Sequence, residues 1–280
     1  MFLIGVGLKK RLSKRLRTGG AVQASDTKAH RLRSRLQREP FLREIVLRRD
    51  LIASPNEYPF SVPFIRALRR ISLDTAITFV VGESGSGKST LLEGLAVALR
   101  LNPEGGSRNL RFQSRLSHST LWQYLRIVRT SRPMRDTFFL RSETLYNLET
   151  ALEDSSLSAL HNYGNRSLHE RSHGESSLAI VMNRLSEGVY IFDEPEAGLS
   201  PTGQLAFLLE MRRLVERGSQ LILSTHSPIL LAYPGATIYE LRRGRIERRD
   251  YEDTDHYRVA SSFFEKRAAA LEHLFRTDET

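Results

Sequence analysis

The stretch Gly82-Glu83-Ser84-Gly85-Ser86-Gly87-Lys88-Ser89-Thr90 follows directly on the apolar run Ile77-Thr78-Phe79-Val80-Val81. It fits the phosphate-loop pattern G-x-x-x-x-G-K-[S/T], with Gly82 and Gly87 at the fixed glycines, Lys88 at the lysine and Ser89 at the hydroxyl. Glycines let a backbone wrap around an anion with its N–H groups turned inward. The loop runs into Thr90-Leu91-Leu92-Glu93-Gly94-Leu95-Ala96, a good helix former whose positive N-terminal end adds attraction for phosphate. Lys88 is expected at the β- and γ-phosphates and Ser89 on Mg²⁺. A Gly/Ser-rich surface turn can match the spacing by accident, but a strand before and a helix after supply the context the motif requires.

Around this loop the chain alternates strands and helices. The runs 41–51, 77–81, 188–195 and 219–226 read as strands, and 236–251 reads as a strand pair turning at Gly244. Helices are expected over 90–101, 119–130, 142–154, 176–185, 203–218 and near 261–276. The proline-punctuated stretch 54–64 reads as a loop. This order predicts an α/β fold with a mostly parallel central sheet and its ligand at the carboxyl ends of the strands.

Composition narrows the classes. The 280 residues can bury one sizeable α/β core, and the absence of cysteine excludes disulfides and thiolate metal sites. No stretch reaches the ~18 uninterrupted apolar residues of a membrane span, and a cytoplasmic protein is expected. The net charge of +10 is unevenly spread: residues 1–50 hold 14 Lys and Arg against four acidic residues, and the remainder balances. Residues 1–40 therefore read as a basic N-terminal extension and 41–280 as the folded domain. The extension suits a nucleic-acid arm, a membrane-surface helix, a transit peptide or a plain disordered leader.

Three further pieces follow the loop. Val189-Tyr190-Ile191-Phe192 ends in Asp193 and Glu194, an acidic pair at a strand terminus, where the aspartate can bind Mg²⁺ and the glutamate can polarise an attacking water. An acidic pair at a strand end is commonly only a solvated loop start; here it lies about a hundred residues after the phosphate loop. The next strand ends in Ser224-Thr225-His226-Ser227-Pro228, placing His226 near a γ-phosphate. Before both lies Ser172-His173-Gly174-Glu175-Ser176, which opens a helix and offers hydroxyls and N–H groups to an anion.

In this order the motifs resemble the ATP-binding-cassette (ABC) ATPases. Ser172–Ser176 is similar to their signature motif, with His173 in place of the first glycine and Glu175 where glutamine is common. Glu196–Pro201 resembles the D-loop, and His226 the switch histidine. The words around Asp193 and His226 resemble the non-transporter branch, including small stand-alone bacterial ATPases, over about residues 41–275. The resemblance implies a P-loop fold with a helical subdomain at about 114–174, ATP and Mg²⁺ as cofactors, and ATP hydrolysis. It implies a catalytic set of Lys88, Glu194 and His226, and nucleotide contacts from 82–90 and from Ser172, Gly174, Glu175 and Ser176. Ser89, Asp193 and the Q-loop candidate Gln113 would serve the metal. It also implies a homodimer that sandwiches ATP, each signature segment capping the γ-phosphate held by the other chain.

Two departures stand out. Gln113 lies close to Lys88 for a Q-loop, and the roughly eighty residues between Thr90 and Ser172 leave no room for long coiled-coil arms. Nucleic acid or a nucleic-acid enzyme is the expected partner, from the branch resemblance and the basic leader. The alternative is the ATPase subunit of a membrane ABC transporter, and a kinase-like phosphoryl transferase would leave the signature and histidine strand without purpose.

Overall fold

The computed structural model describes residues 39–108, 119–155 and 167–276. Its centre is a seven-stranded sheet in the order β10-β9-β3-β8-β7-β6-β4. Five of these strands run parallel: β3 (Ile77–Val81), β6 (Thr137–Arg141), β7 (Val189–Asp193), β8 (Gln220–Ser224) and β9 (Thr237–Arg242). Antiparallel edges close it, β4 (Gly106–Ser107) against β6 and β10 (Arg245–Arg249) against β9. The α/β class with a mostly parallel sheet is as expected.

Why the middle strands read as unbroken apolar runs is now plain: both faces are covered. Phe79, Phe138, Leu140, Tyr190, Phe192, Leu221 and Leu223 pack on one face beneath α4 (His173–Arg184) and α5 (Pro201–Glu216). Val80, Phe139, Val189, Ile191 and Ile222 point the other way, as the period of two dictates. They meet α2 (Lys88–Ala98), whose Leu91, Leu92, Leu95 and Ala96 are all buried. Beyond α2 lies a small antiparallel sheet of β2 (Arg70–Ser72), β1 (Leu42–Leu47) and β5 (Leu125–Arg129). Buried Gln220 ties the two sheets: its side chain accepts from Leu42 N at 2.8 Å and donates to Leu42 O and Leu73 O at 2.8 and 2.9 Å.

Several elements depart from the sequence reading. The expected helix over 119–130 is a 3₁₀ turn at Thr120–Tyr124 followed by β5. Its β-branched Ile127 and Val128 pair with Ile45 and Glu44 of β1, so tertiary pairing overrides a weak helical period. The 114–174 stretch is accordingly not wholly helical. Its described residues supply β5 and β6 as well as α3 (Leu145–Ser155) and the start of α4. The expected C-terminal helix is two helices, α7 (Asp255–Glu265) and α8 (Arg267–Phe275), broken at Lys266 and with no buried residue in either. The short helices α1 (Pro63–Ala67) and α6 (Pro228–Leu231) begin at prolines, which suit a first helical turn. The basic leader lies outside the described residues, save for Glu39 and Pro40 at its end.

Candidate nucleotide site

Strands β3, β8 and β7 are neighbours and parallel, so the three loops that leave their carboxyl ends meet at one edge. The loop after β3 is Gly82–Gly87. Gly87 has φ +100, and a Cβ there would come within 2.3 Å of Val62 Cγ1, so both conformation and space demand glycine. Lys88 opens α2, is 3% exposed, and donates from Nζ to the carbonyls of Gly82 and Glu83, each at 2.9 Å. Burial lowers its pKa, while Glu194, Asp193 and Glu196 favour the ammonium.

Asp193 ends β7 and is 4% exposed. Its Oδ1 accepts from Ser89 Oγ at 3.2 Å and from Ser224 Oγ at the end of β8, and Arg141 Nε lies 3.8 Å from Oδ2. Burial raises its pKa; the Ser224 bond, the Arg141 charge and the Ser89 bond pull the other way. Arg141 ends β6 and also pairs with Glu93 of α2 at 2.8 Å.

Glu194 adopts φ 52, a left-handed conformation that costs an ordinary side chain about 1–3 kcal/mol. The turn is held by Glu194 N donating to Ser224 O at 3.2 Å and by Ser142 Oγ donating to Glu194 O at 2.6 Å. Its half-exposed carboxylate thereby leaves the sheet and meets His226, with Oε1 3.3 Å from Nε2. His226 is fixed through its main chain, since its N–H donates to Glu196 Oε1 at 2.6 Å. Glu196 is largely buried, which raises its pKa against the pull of that bond. On its other side, His226 Nδ1 lies 3.4 Å from Nε2 of His256 in α7.

The signature-like segment behaves differently. Ser172 caps α4, accepting from Glu175 N at 3.4 Å while Glu175 Oε2 accepts from Ser172 N at 3.1 Å, a reciprocal capping box. His173 is exposed. Gly174 packs on the D-loop so tightly that a Cβ would sit 2.4 Å from Gly198 O. Ser176 is fully buried, its Oγ donating to Leu168 O at 2.9 Å. The expected phosphate-capping role of the Ser176 hydroxyl is thus corrected: one helical turn beyond the cap, it faces inward and its proton is engaged. Gln113 lies outside the described residues.

The family model described as "AAA domain, putative AbiEii toxin, Type IV TA system" matches residues 160–232, which carry the signature-like helix start, Asp193, Glu194 and His226. The cobalt import ATP-binding protein CbiO of Salmonella paratyphi A (strain ATCC 9150 / SARB42) is 28% identical over 200 residues, 64% of this chain and 73% of that protein. The energy-coupling factor transporter ATP-binding protein EcfA2 of Streptococcus sanguinis (strain SK36) is 27% identical over 208 residues, 67% of this chain and 74% of that protein. Together these likenesses support an ABC-type ATPase. A solved bacterial Atm1-family ABC exporter with ATP bound aligns with it at TM-score 0.46 and 14% identity, over 80% of this chain and 43% of that one.

Ser224, Arg141, Ser142, Glu196 and His256 belong to the site's framework; the sequence marked Ser224 and Glu196 only as members of longer motifs, and the other three not at all. The first four stand at or just beyond strand ends beside the acidic pair, a placement visible only once strand order is known. His256 follows Thr254, a helix cap whose hydroxyl accepts from Tyr257 N, and nothing local marks it. No helix among the described residues is long and apolar enough to cross a membrane.

Proposed function

We propose that this ABC-type ATPase works as an ATP-driven dimeric switch, with Lys88, Ser89, Asp193, Glu194 and His226 as its hydrolytic set. The observation that carries this reading is the convergence of those side chains from three adjacent parallel strands. The glycine-built cradle would wrap the phosphates, and Lys88 would exchange its two carbonyl partners for phosphate oxygens. Mg²⁺ suits the donors present: the Ser89 hydroxyl and the Asp193 carboxylate are hard oxygens already 3.2 Å apart. Among the described residues no cluster of three or more His, Asp or Glu forms a metal cage, as fits an ion completed by phosphate and water. When bound, the ion would neutralise phosphate charge. Glu194 would accept a proton-side contact from the attacking water and orient it, and His226 would donate from Nε2 to a γ-phosphate oxygen.

The other half of the site would come from a second chain, through the α4 start: Ser172, His173, Gly174 and Glu175. Hydrolysis tests the set directly. Purified protein should turn over ATP, and Glu194→Gln should bind ATP while losing turnover. Equal turnover by both would overturn the assignment.

For the partner, the likeness to CbiO and EcfA2, ATP-binding proteins of cobalt import and of an energy-coupling factor transporter, favours a membrane transport component over the nucleic-acid partner expected from sequence. The basic leader, with its surplus of Lys and Arg, favours the second reading. Co-purification with Glu194→Gln in ATP separates them. A membrane protein supports the first, and DNA released by salt supports the second.

A further inference from the structure

We propose that His256 is a positioning residue that holds His226 in the ring tautomer its reaction requires. This rests on the reading above, in which His226 donates from Nε2. The two rings meet edge to edge: Nδ1 of His226 is 3.4 Å from Nε2 of His256, with centroids 5.6 Å apart and planes at 46°. Two neutral imidazoles that face each other through one nitrogen each can place only one proton between them. If His226 is to carry its proton on Nε2, on the side that faces Glu194, its Nδ1 must present a lone pair. The proton between the rings then belongs to His256 Nε2, which donates to it.

The surroundings hold His256 to that task. Burial lowers its pKa, as do the nearby His226 and Lys88, so it stays neutral at pH 7. Its backbone is pinned from three directions. Asp255 N donates to buried Glu240 of β9 at 3.0 Å, Tyr251 OH donates to Pro228 O at 2.9 Å, and Thr254 caps α7 from a fully buried position. Pro228 starts α6, two residues after His226, so the segment carrying His256 is tied to the segment carrying its target. His226 is thus gripped twice, at its main chain by Glu196 and at its ring by His256. The remainder of α7 is largely solvent-facing, with Val259 and Phe264 exposed, so fold-building alone does not account for this anchoring.

A double-mutant cycle in the full chain tests the inference, with kcat, KM for ATP and ATP binding measured for each protein. His256→Phe should lower kcat about 10–100-fold, the scale of losing a group that orients a reacting histidine, with KM within about twofold. His256→Gln keeps an amide donor near the same point and should recover most of that loss. In the His226→Ala background, His256→Phe should cost nothing more, because the group it positions is gone. Wild-type kcat in His256→Phe, an equal loss in both backgrounds, or a His256→Gln as slow as His256→Phe while still binding ATP would each overturn the proposal. Wild-type turnover in His226→Ala would instead overturn the reading of His226 itself, and with it this inference.

Discussion

The phosphate-loop cradle and the start of α4 are both segments proposed to face a nucleotide, yet they are built in opposite ways. In the cradle the charges are buried and matched within one chain: Lys88 against two carbonyls, Asp193 against Ser89, Ser224 and Arg141. At the start of α4 the polar groups satisfy one another at the surface, through the Ser172–Glu175 capping box, and the next residue, His173, is exposed. Gly174 then touches the D-loop at Gly198. A cradle with inward charge is organised to receive a ligand. A capped helix end with an exposed rim and a rigid glycine contact is organised to present itself to something outside, and that contrast supports a site divided between two chains.

The largest effect should come from the cradle. Lys88→Ala removes a charged donor worth about 3 kcal/mol, so ATP affinity should fall at least about 100-fold in a direct binding titration. Unchanged affinity would break the contrast at its stronger side. Glu194→Gln should leave affinity within about twofold and lower kcat by roughly 10²–10⁴, since an amide cannot accept the water's proton.

Variants at the helix start should cost less and read out differently. Gly174→Ala forces a Cβ against Gly198 O, and overpacking of that kind costs about 1–3 kcal/mol. Its thermal midpoint should drop, and ATP hydrolysis should fall while ATP binding persists. Ser176→Ala removes a buried bond to Leu168 worth about 1 kcal/mol, a shift of roughly 2–4 °C for a chain of this size. Its ATP turnover should stay near wild type. A turnover collapse without a stability change would restore Ser176 to the phosphate.

The smallest effect is on pH. The folded-state pKa of His256 is lowered by burial, so the unfolded chain takes up its proton first. Its contribution is fully present above the unfolded value near 6.5 and is lost as pH falls through and below that value. His256→Gln should therefore lose less stability than wild type between pH 7 and pH 5, measured by thermal unfolding. A parallel loss in both would contradict the burial of this imidazole.

Local signals made the catalytic edge legible. A glycine-rich loop, an acidic pair and a histidine each follow an apolar run, and those runs became β3, β7 and β8. What stayed hidden depends on distant partners. β6, Thr137 to Arg141, is as long as β3 but is followed by no glycine loop, acidic pair or histidine motif to mark its end, and β5 reads as helical until β1 lies beside it. Ser224 and Arg141 acquire meaning only from the strand order that sets them around Asp193. Ser176 was misassigned because motif order says nothing about which way a helical residue turns after the cap. His256 lies thirty residues beyond His226, and only the return of the chain through β9 and β10 brings them together.

The division of the site between two chains is tested most directly by the mass of Glu194→Gln in sedimentation, with and without ATP. A chain of 32.0 kDa should double its mass on adding ATP with Mg²⁺. A second substitution, His173→Asp, should abolish the doubling. An acid at a helix N-terminus leaves the fold secure but repels an incoming γ-phosphate, so ATP binding should remain. A Glu194→Gln protein that binds ATP and stays at the mass of one chain would contradict the account.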